Sequence, residues 1–380
     1  MFKKLISLSS FLLILFVLAG CQDDQIPVTG PNNSQILSKK ASNVFAVYTL
    51  TNSASGNEVM MYTRSASGSL SLAGSYPTGG NGTGSGLGSQ GAVVLSNGFL
   101  FAVNAGSDEV SVMKVSPSGL TMVDKVSSGG TTPISLTVHN DLLYVLNAGG
   151  AGNIAGFRIS GSGHLSPISG STQPLSGAGV GPAQVEFNPW GNVLVVTEKG
   201  TNSIDTYPVG SNGVAGSPTI TASTGNTPYG FEFDKRGHLI VSDAFGGGAN
   251  AGAMSSYNVS AAGVDLITGP VANSQTAPCW VAVTKNGKFS YTTNTGTNNI
   301  SGYYVRPNGR LMLFNDGGNT ASTGAGPIDM AVSNDSQYLY SLNAGDQTLS
   351  VFRIDNGHGG LKPVQTVSGL TMGGGGLAAN

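Results

Sequence analysis

Residues 181–204 read GPAQVEFNPWGNVLVVTEKGTNSI. A proline-marked turn leads into a short apolar run, the turn NPWGN follows, and a second apolar run stops at Glu198 before another glycine turn. Runs this short, bounded by Gly, Pro and Asn, form strands and hairpins rather than helices. The second run has counterparts along the whole chain: NVFAVYTL, GFLFAVNAG, DLLYVLNAG, GHLIVSDAF, GKFSYTTNTG and SQYLYSLNAG. The first run returns as TTPISLTV, TPYGFEF, APCWVAV and GPIDMAV, where proline can sit because the turn precedes the ladder.

Residues that end the second strand align as Asn104, Asn147, Glu198, Asp243, Asn294 and Asn343, spaced 43 to 51 residues apart. A third strand in each unit ends on a bulky side chain: Tyr62, Met113, Phe157, Tyr207, Tyr257, Tyr303 and Phe352. Hairpin glycines follow at 68, 119, 163, 213, 263, 309 and 357 or 360. Units of this length with four strands and no amphipathic helix match propeller blades. The reading is an all-β, seven-bladed β-propeller of four-stranded antiparallel blades over residues 43–380. Its first unit lacks an innermost strand. Residues Leu377–Ala379 are expected to supply it and close the ring without a free edge.

Composition limits the functional classes. The chain has 380 residues, of which 39% are hydrophobic and only 9% charged, with 58 glycines and a net charge of −2. A nearly neutral chain has no general electrostatic pull on nucleic acid. At the N-terminus, Lys3 and Lys4 precede the apolar stretch LISLSSFLLILFVLAG and then Cys21. Residues 1–20 read as a secretory signal segment, and Leu18-Ala19-Gly20-Cys21 resembles the bacterial lipoprotein processing box. That resemblance implies lipidation at Cys21 and, with Gln22 following it, an outer-membrane anchor facing the periplasm, with surface exposure as the variant. Residues 21–42 read as a polar tether. With Cys21 committed to lipid, Cys279 has no disulfide partner.

Strand order places the column at 104–343 and the proline-rich turns on one rim of the ring. Candidate ligand-binding residues there are Gln184, Glu186, Glu198, Tyr229, Asp243, Cys279 and Trp280, with Glu198 and Asp243 the candidate catalytic carboxylates. Two carboxylates, two aromatics and an amide suit a polar or sugar-like ligand. Asn and Asp at such positions also cap turns with their own side chains. His139, His164, His238 and His358 fall outside this rim, so Cys279 has no base beside it and reads as a buried thiol. No His, Cys or Asp spacing suggests a metal, and no cofactor motif is present.

The repeat motifs YVLNAG, YTTNTG and YSLNAG, with the order of units and the length, resemble the seven-bladed lactonase family. That family includes 6-phosphogluconolactonase-like and carboxymuconate-lactonising proteins, and the similarity spans roughly residues 43–380. Its enzymatic members place a histidine where this chain has Ala183. The family's Gly-x-Asp-x-Ile pattern becomes Gly200-Thr201-Asn202-Ser203-Ile204, and no arginine falls in the turns of the rim. The sequence therefore favours a noncatalytic envelope lipoprotein that binds a small polar or carbohydrate-like ligand, or an envelope protein partner, at this rim. The alternative is a lactonase-like hydrolase or isomerase acting on a sugar-derived or carboxylated lactone.

Overall fold

A computed structural model describes residues 45–380. The signal segment, Cys21 and the tether lie outside the described residues. Blade four, built from the stretch quoted above, illustrates the unit. Its strands Pro182–Phe187, Val193–Glu198, Ser203–Pro208 and Thr219–Ala222 pair antiparallel in sequence order, innermost first. Proline 182 stands opposite Glu198, and a bulge follows it at once. The same proline, partner and bulge recur in blade three (Pro133 and Asn147), five (Pro228 and Asp243), six (Pro278 and Asn294) and seven (Pro327 and Asn343). The proline-rich turns and the polar column thus share one face.

Seven sheets form, as the repeat requires. Blade one takes Ala46–Leu50, Glu58–Arg64 and Leu70–Pro77 from the N-terminal side and its innermost strand, Gly375–Ala379, from the other end. Val47 pairs with Ala379, Tyr48 with Ala378 and Thr49 with Leu377. Asn380 extends the join: its side-chain oxygen accepts from the Ala46 amide at 2.6 Å. In blades three and six the outer strand is divided into two short pieces, Leu165–Pro167 with Gln173–Pro174 and Leu311–Leu313 with Ala321–Ser322. The remaining blades have four strands each.

The third-strand column packs between sheets. Tyr62, Phe157, Tyr207, Tyr257, Tyr303 and Phe352 are all at most 3% exposed. Each such ring stabilises the fold by about 1.5–3 kcal/mol relative to an exposed one. The innermost strands present a free edge toward the axis, and in blades four and five side chains of the preceding blade bond to it. The amides of Val185 and Phe187 donate to Ser135 Oγ and Thr137 Oγ1, both at 3.1 Å. Gln184 grips Phe231 of blade five in both senses, accepting from its amide at 2.8 Å and donating to its carbonyl at 2.9 Å.

Candidate functional site

The column residues at 198 and 243 are fully buried within their blades. Both Glu198 carboxylate oxygens are occupied: Oε1 accepts from the Ser176 amide at 2.9 Å, and Oε2 from the hydroxyls of Ser176, Thr201 (2.7 Å) and Ser203 (3.0 Å). Despite burial, these donors hold Glu198 below the usual carboxylate range. Asp243 accepts from Ser255 Oγ at 2.6 Å, and burial pushes its pKa up to about 7. Asn104, Asn294 and Asn343 fill the same role in their blades, binding Ser111, Ser301 and Ser350. Glu198 and Asp243 therefore pin strands together within their own blades.

Asp205, absent from the sequence candidates, explains how blade four tolerates a carboxylate in the column. It takes the register position that is serine at 111, 255, 301 and 350, and neither of its oxygens has a donor. Burial, then the neighbouring Glu198 charge, raises its pKa to about 8. Beside the Glu198 carboxylate, Asp205 thus favours its protonated form at neutral pH. The signal was present in SIDTY, where an aspartate interrupts a serine column.

The axis on this rim is filled by the chain itself. The segment joining blade one to blade two, residues 78–92, runs across the mouth. Gln90 Nε2 donates to the Val281 carbonyl at 2.6 Å, and Gln90 Oε1 accepts from the Val281 amide at 3.0 Å. This repeats the grip of Gln184 on Phe231 one blade further round. Blade five has Gly230 at that register, and any Cβ there would collide with Gln90 Oε1. The glycine admits the inserted glutamine.

Around this plug, Trp280 Nε1 donates to Ser89 O at 2.9 Å and Lys199 Nζ to Gly88 O at 2.6 Å. The Lys199 ammonium also lies 4.4 Å from the centre of the Tyr229 ring, and burial lowers its pKa to about 8. Tyr229 and Trp280 pack with ring centres 5.1 Å apart. Cys279 is buried, its thiol pushed up to about 11 by burial, so it is protonated and inert at neutral pH. The sequence placed Glu198, Asp243, Tyr229, Cys279 and Trp280 round a common pocket. Tyr229, Cys279 and Trp280 do come together, but against the plug, and the two carboxylates face into their own blades.

The open end of the axis is the opposite one. A channel of about 430 Å³ runs inside the ring. One residue of each innermost strand stands at the same register: Ala378, Val94, Thr137, Glu186, Glu232, Ala282 and Ala331, opposite Tyr48, Phe101, Tyr144, Val195, Ile240, Tyr291 and Tyr340. All seven line the channel. Two consecutive blades thus contribute carboxylates to an otherwise small or apolar ring. Glu186 belongs here, toward the face of the NPWGN and DKRGH turns, and not to the rim where sequence order placed it. Gln184 sits one step deeper and its Nε2 also reaches Glu186 Oε2 at 3.1 Å.

Recessed in the channel, Glu186 is held well above the ordinary carboxylate range by burial and then by the Glu232 charge. Burial likewise raises Glu232, and the Lys285 ammonium at the mouth opposes both shifts. Burial and the neighbouring like charge thus both oppose ionisation of Glu186, and burial opposes that of Glu232. The pattern was legible as PAQVEF and PYGFEF, with glutamate at one register in successive strands.

The lactonase family model, described as a seven-bladed β-propeller, matches residues 41–174 and 250–373. The chain belongs to the lactonase family. The matched segments exclude 175–249, which carry Glu186, Glu198, Asp205, Glu232 and Asp243. No curated protein matches the chain. Among solved structures, a periplasmic gluconolactonase from Pseudomonas aeruginosa superposes with a TM-score of 0.71 at 17% identity, covering 89% of this chain and 99% of the other. A putative 6-phosphogluconolactonase from Bacteroides fragilis gives 0.67 at 18%, with the same coverages. One from Bacteroides uniformis gives 0.69 at 16%, covering 89% and 100%. At such identities the likeness establishes the propeller fold alone.

Proposed function

We propose that this lactonase-family propeller hydrolyses a sugar-derived lactone in the axial channel, with Glu186 and Glu232 as the acid–base pair. The observation that carries the reading is the juxtaposition of two recessed carboxylates, at one register on consecutive blades, at the open end of the channel, with Lys285 lining it beside them. The ionised member takes a proton from water as the water oxygen attacks the lactone carbonyl carbon. Lys285 offsets the charge that develops on the carbonyl oxygen. The protonated member then gives its proton to the ring oxygen as the acyl C–O bond breaks, releasing a hydroxy acid. Family membership and the gluconolactonase named among similar folds support a lactone as substrate.

Turnover of δ-gluconolactone by residues 43–380 tests this. The rate should exceed the spontaneous one and fall at least about 100-fold in both Glu186→Gln and Glu232→Gln. The pH profile should be bell-shaped: activity is lost at low pH when both carboxyls are protonated and at high pH when both are ionised. Because burial raises both groups, each limb should lie above the ordinary carboxylate range. Turnover unaffected by either variant would rule the pair out.

We also place the protein in the bacterial envelope, anchored through Cys21. The signal segment and the processing-box resemblance support this, as does the periplasmic location named for the similar Pseudomonas protein. Cys21→Ser should release the protein from the membrane fraction. Retention there would refute the lipid anchor.

A further inference from the structure

The nearly neutral total conceals an uneven distribution of charge. Among the described residues, Lys125 and Lys199 are the only lysines or arginines at the plug rim. The others stand on the open half of the ring, the half of the NPWGN turn and its Trp190. Carboxylates at the plug rim include Glu58, Asp108, Glu109 and Asp346. On the open half the cations gather on three consecutive blades. Lys235, Lys288, Arg306, Arg310, Arg353 and Lys362 are exposed there on blades five to seven, and none has a carboxylate partner among the described residues. Arg353 and Lys362 stand directly opposite each other on adjacent strands of blade seven, a like-charge pairing that costs stability. Together with Gln337 and Asn356 they line a hollow of about 520 Å³. Asp355 also borders it, but its Oδ1 accepts from the Gly357 amide of its own hairpin at 2.9 Å. Nothing in the fold or in the chemistry above uses this charge.

The chain enters the ring on the same face, next to blade seven. The Phe45 carbonyl accepts from the Arg64 amide at 2.8 Å, and the Arg64 guanidinium lies between the rings of Phe45 and Tyr338, 4.3 and 4.5 Å from their centres. Arg64 also bonds Asp335 of blade seven at 2.8 Å, which fixes the entry point beside the basic blades.

We propose that the open face of blades five to seven is a docking surface for anionic phospholipid, with a headgroup phosphate received between Arg353 and Lys362. A lipid anchor on Cys21 tethers this face, and not the plug rim, and a basic patch is the second signal that makes single-point anchoring durable. The phosphate also relieves the opposed cations of blade seven. Contact along one side of the ring tilts it, so the channel mouth lies next to the headgroups and stays open to water. The proposal rests on the envelope placement above for its membrane and not on the lactonase reading.

The test is cosedimentation of residues 43–380, which form one compact unit without the anchor, with lipid vesicles. Vesicles of phosphatidylglycerol and phosphatidylethanolamine are compared with vesicles of phosphatidylcholine alone. Binding to the anionic vesicles should be at least about 10-fold tighter. It should be lost at about 1 M NaCl, where the screening length falls to about 3 Å. Arg353→Gln combined with Lys362→Gln should weaken it at least about 10-fold, whereas Lys125→Gln at the plug rim should leave it unchanged. The double variant removes an opposed pair, so its Tm should match or exceed that of the parent, which separates lost contact from lost fold. Equal partitioning to the two kinds of vesicle, or a double variant that binds as tightly as the parent, would overturn the proposal. Membranes washed in the same salt lose contact through the patch and keep a lipid anchor, so Cys21→Ser read after that wash tests the anchor alone.

Discussion

A carboxylate in a column of asparagines looks like a reactive group, and at Glu198 and Asp243 it is an internal fastener. Asn and Glu at one register can serve the same donors, so residue type alone does not tell a pin from a site. Burial decides, through neighbours that lie elsewhere in the chain, Ser176 for one and Ser255 for the other. The neutral Asp205 gives this arrangement a measurable signature. Its folded pKa is raised to about 8, while the unfolded chain titrates it near the ordinary value of about 3.9. Folding must then take up a proton between those values, so this group's contribution to stability falls as pH rises from about 4 to 8 and is flat beyond. Asp243, raised to about 7, acts in the same sense. Asp205→Asn keeps a donor for Glu198 without the titration. It should raise Tm at pH 8 relative to the parent and make little difference at pH 4. An unchanged Tm difference across that range would show Asp205 to be ionised in the fold.

Among the elements, the plug is the part least visible beforehand. Residues 79–91, GGNGTGSGLGSQG, have the composition of a linker, and nothing local marks Gln90 as a group that spans the axis. Its partner Val281 lies 191 residues away, and its necessary vacancy is Gly230, a glycine in the middle of a strand. A strand glycine signals close approach of another group, which is the one hint the sequence held. Removing the glutamine side chain leaves the Val281 amide and carbonyl buried without partners. Gln90→Ala should therefore cost about 2–4 kcal/mol in denaturant unfolding, and it should speed hydrogen exchange at Val281. Exchange at Val281 equal to that of the parent would mean that the plug does not hold that edge.

For the whole molecule, blade number, strand order and the terminal join were all legible, because five blades repeat the same proline and all seven a bulky third-strand residue followed by a hairpin glycine. Leu377, Ala378 and Ala379 pair as the missing inner strand required. The working end of the ring was not legible in the same way. Variation among repeats was most visible in the column at 104–343, which drew attention to that rim, whereas the plug across it and the open channel beyond are products of closing the ring. The side chains proposed as the acid–base pair lie at a second register, Glu186 and Glu232, in the segment the family model leaves unmatched. A crystal structure of residues 43–380 soaked with gluconate locates the site directly. Gluconate is expected between Glu186, Glu232 and Lys285, reached from the face of Trp190. Gluconate seated instead at the rim of Tyr229 and Trp280, or a channel without it in saturated crystals, would contradict a catalytic axis.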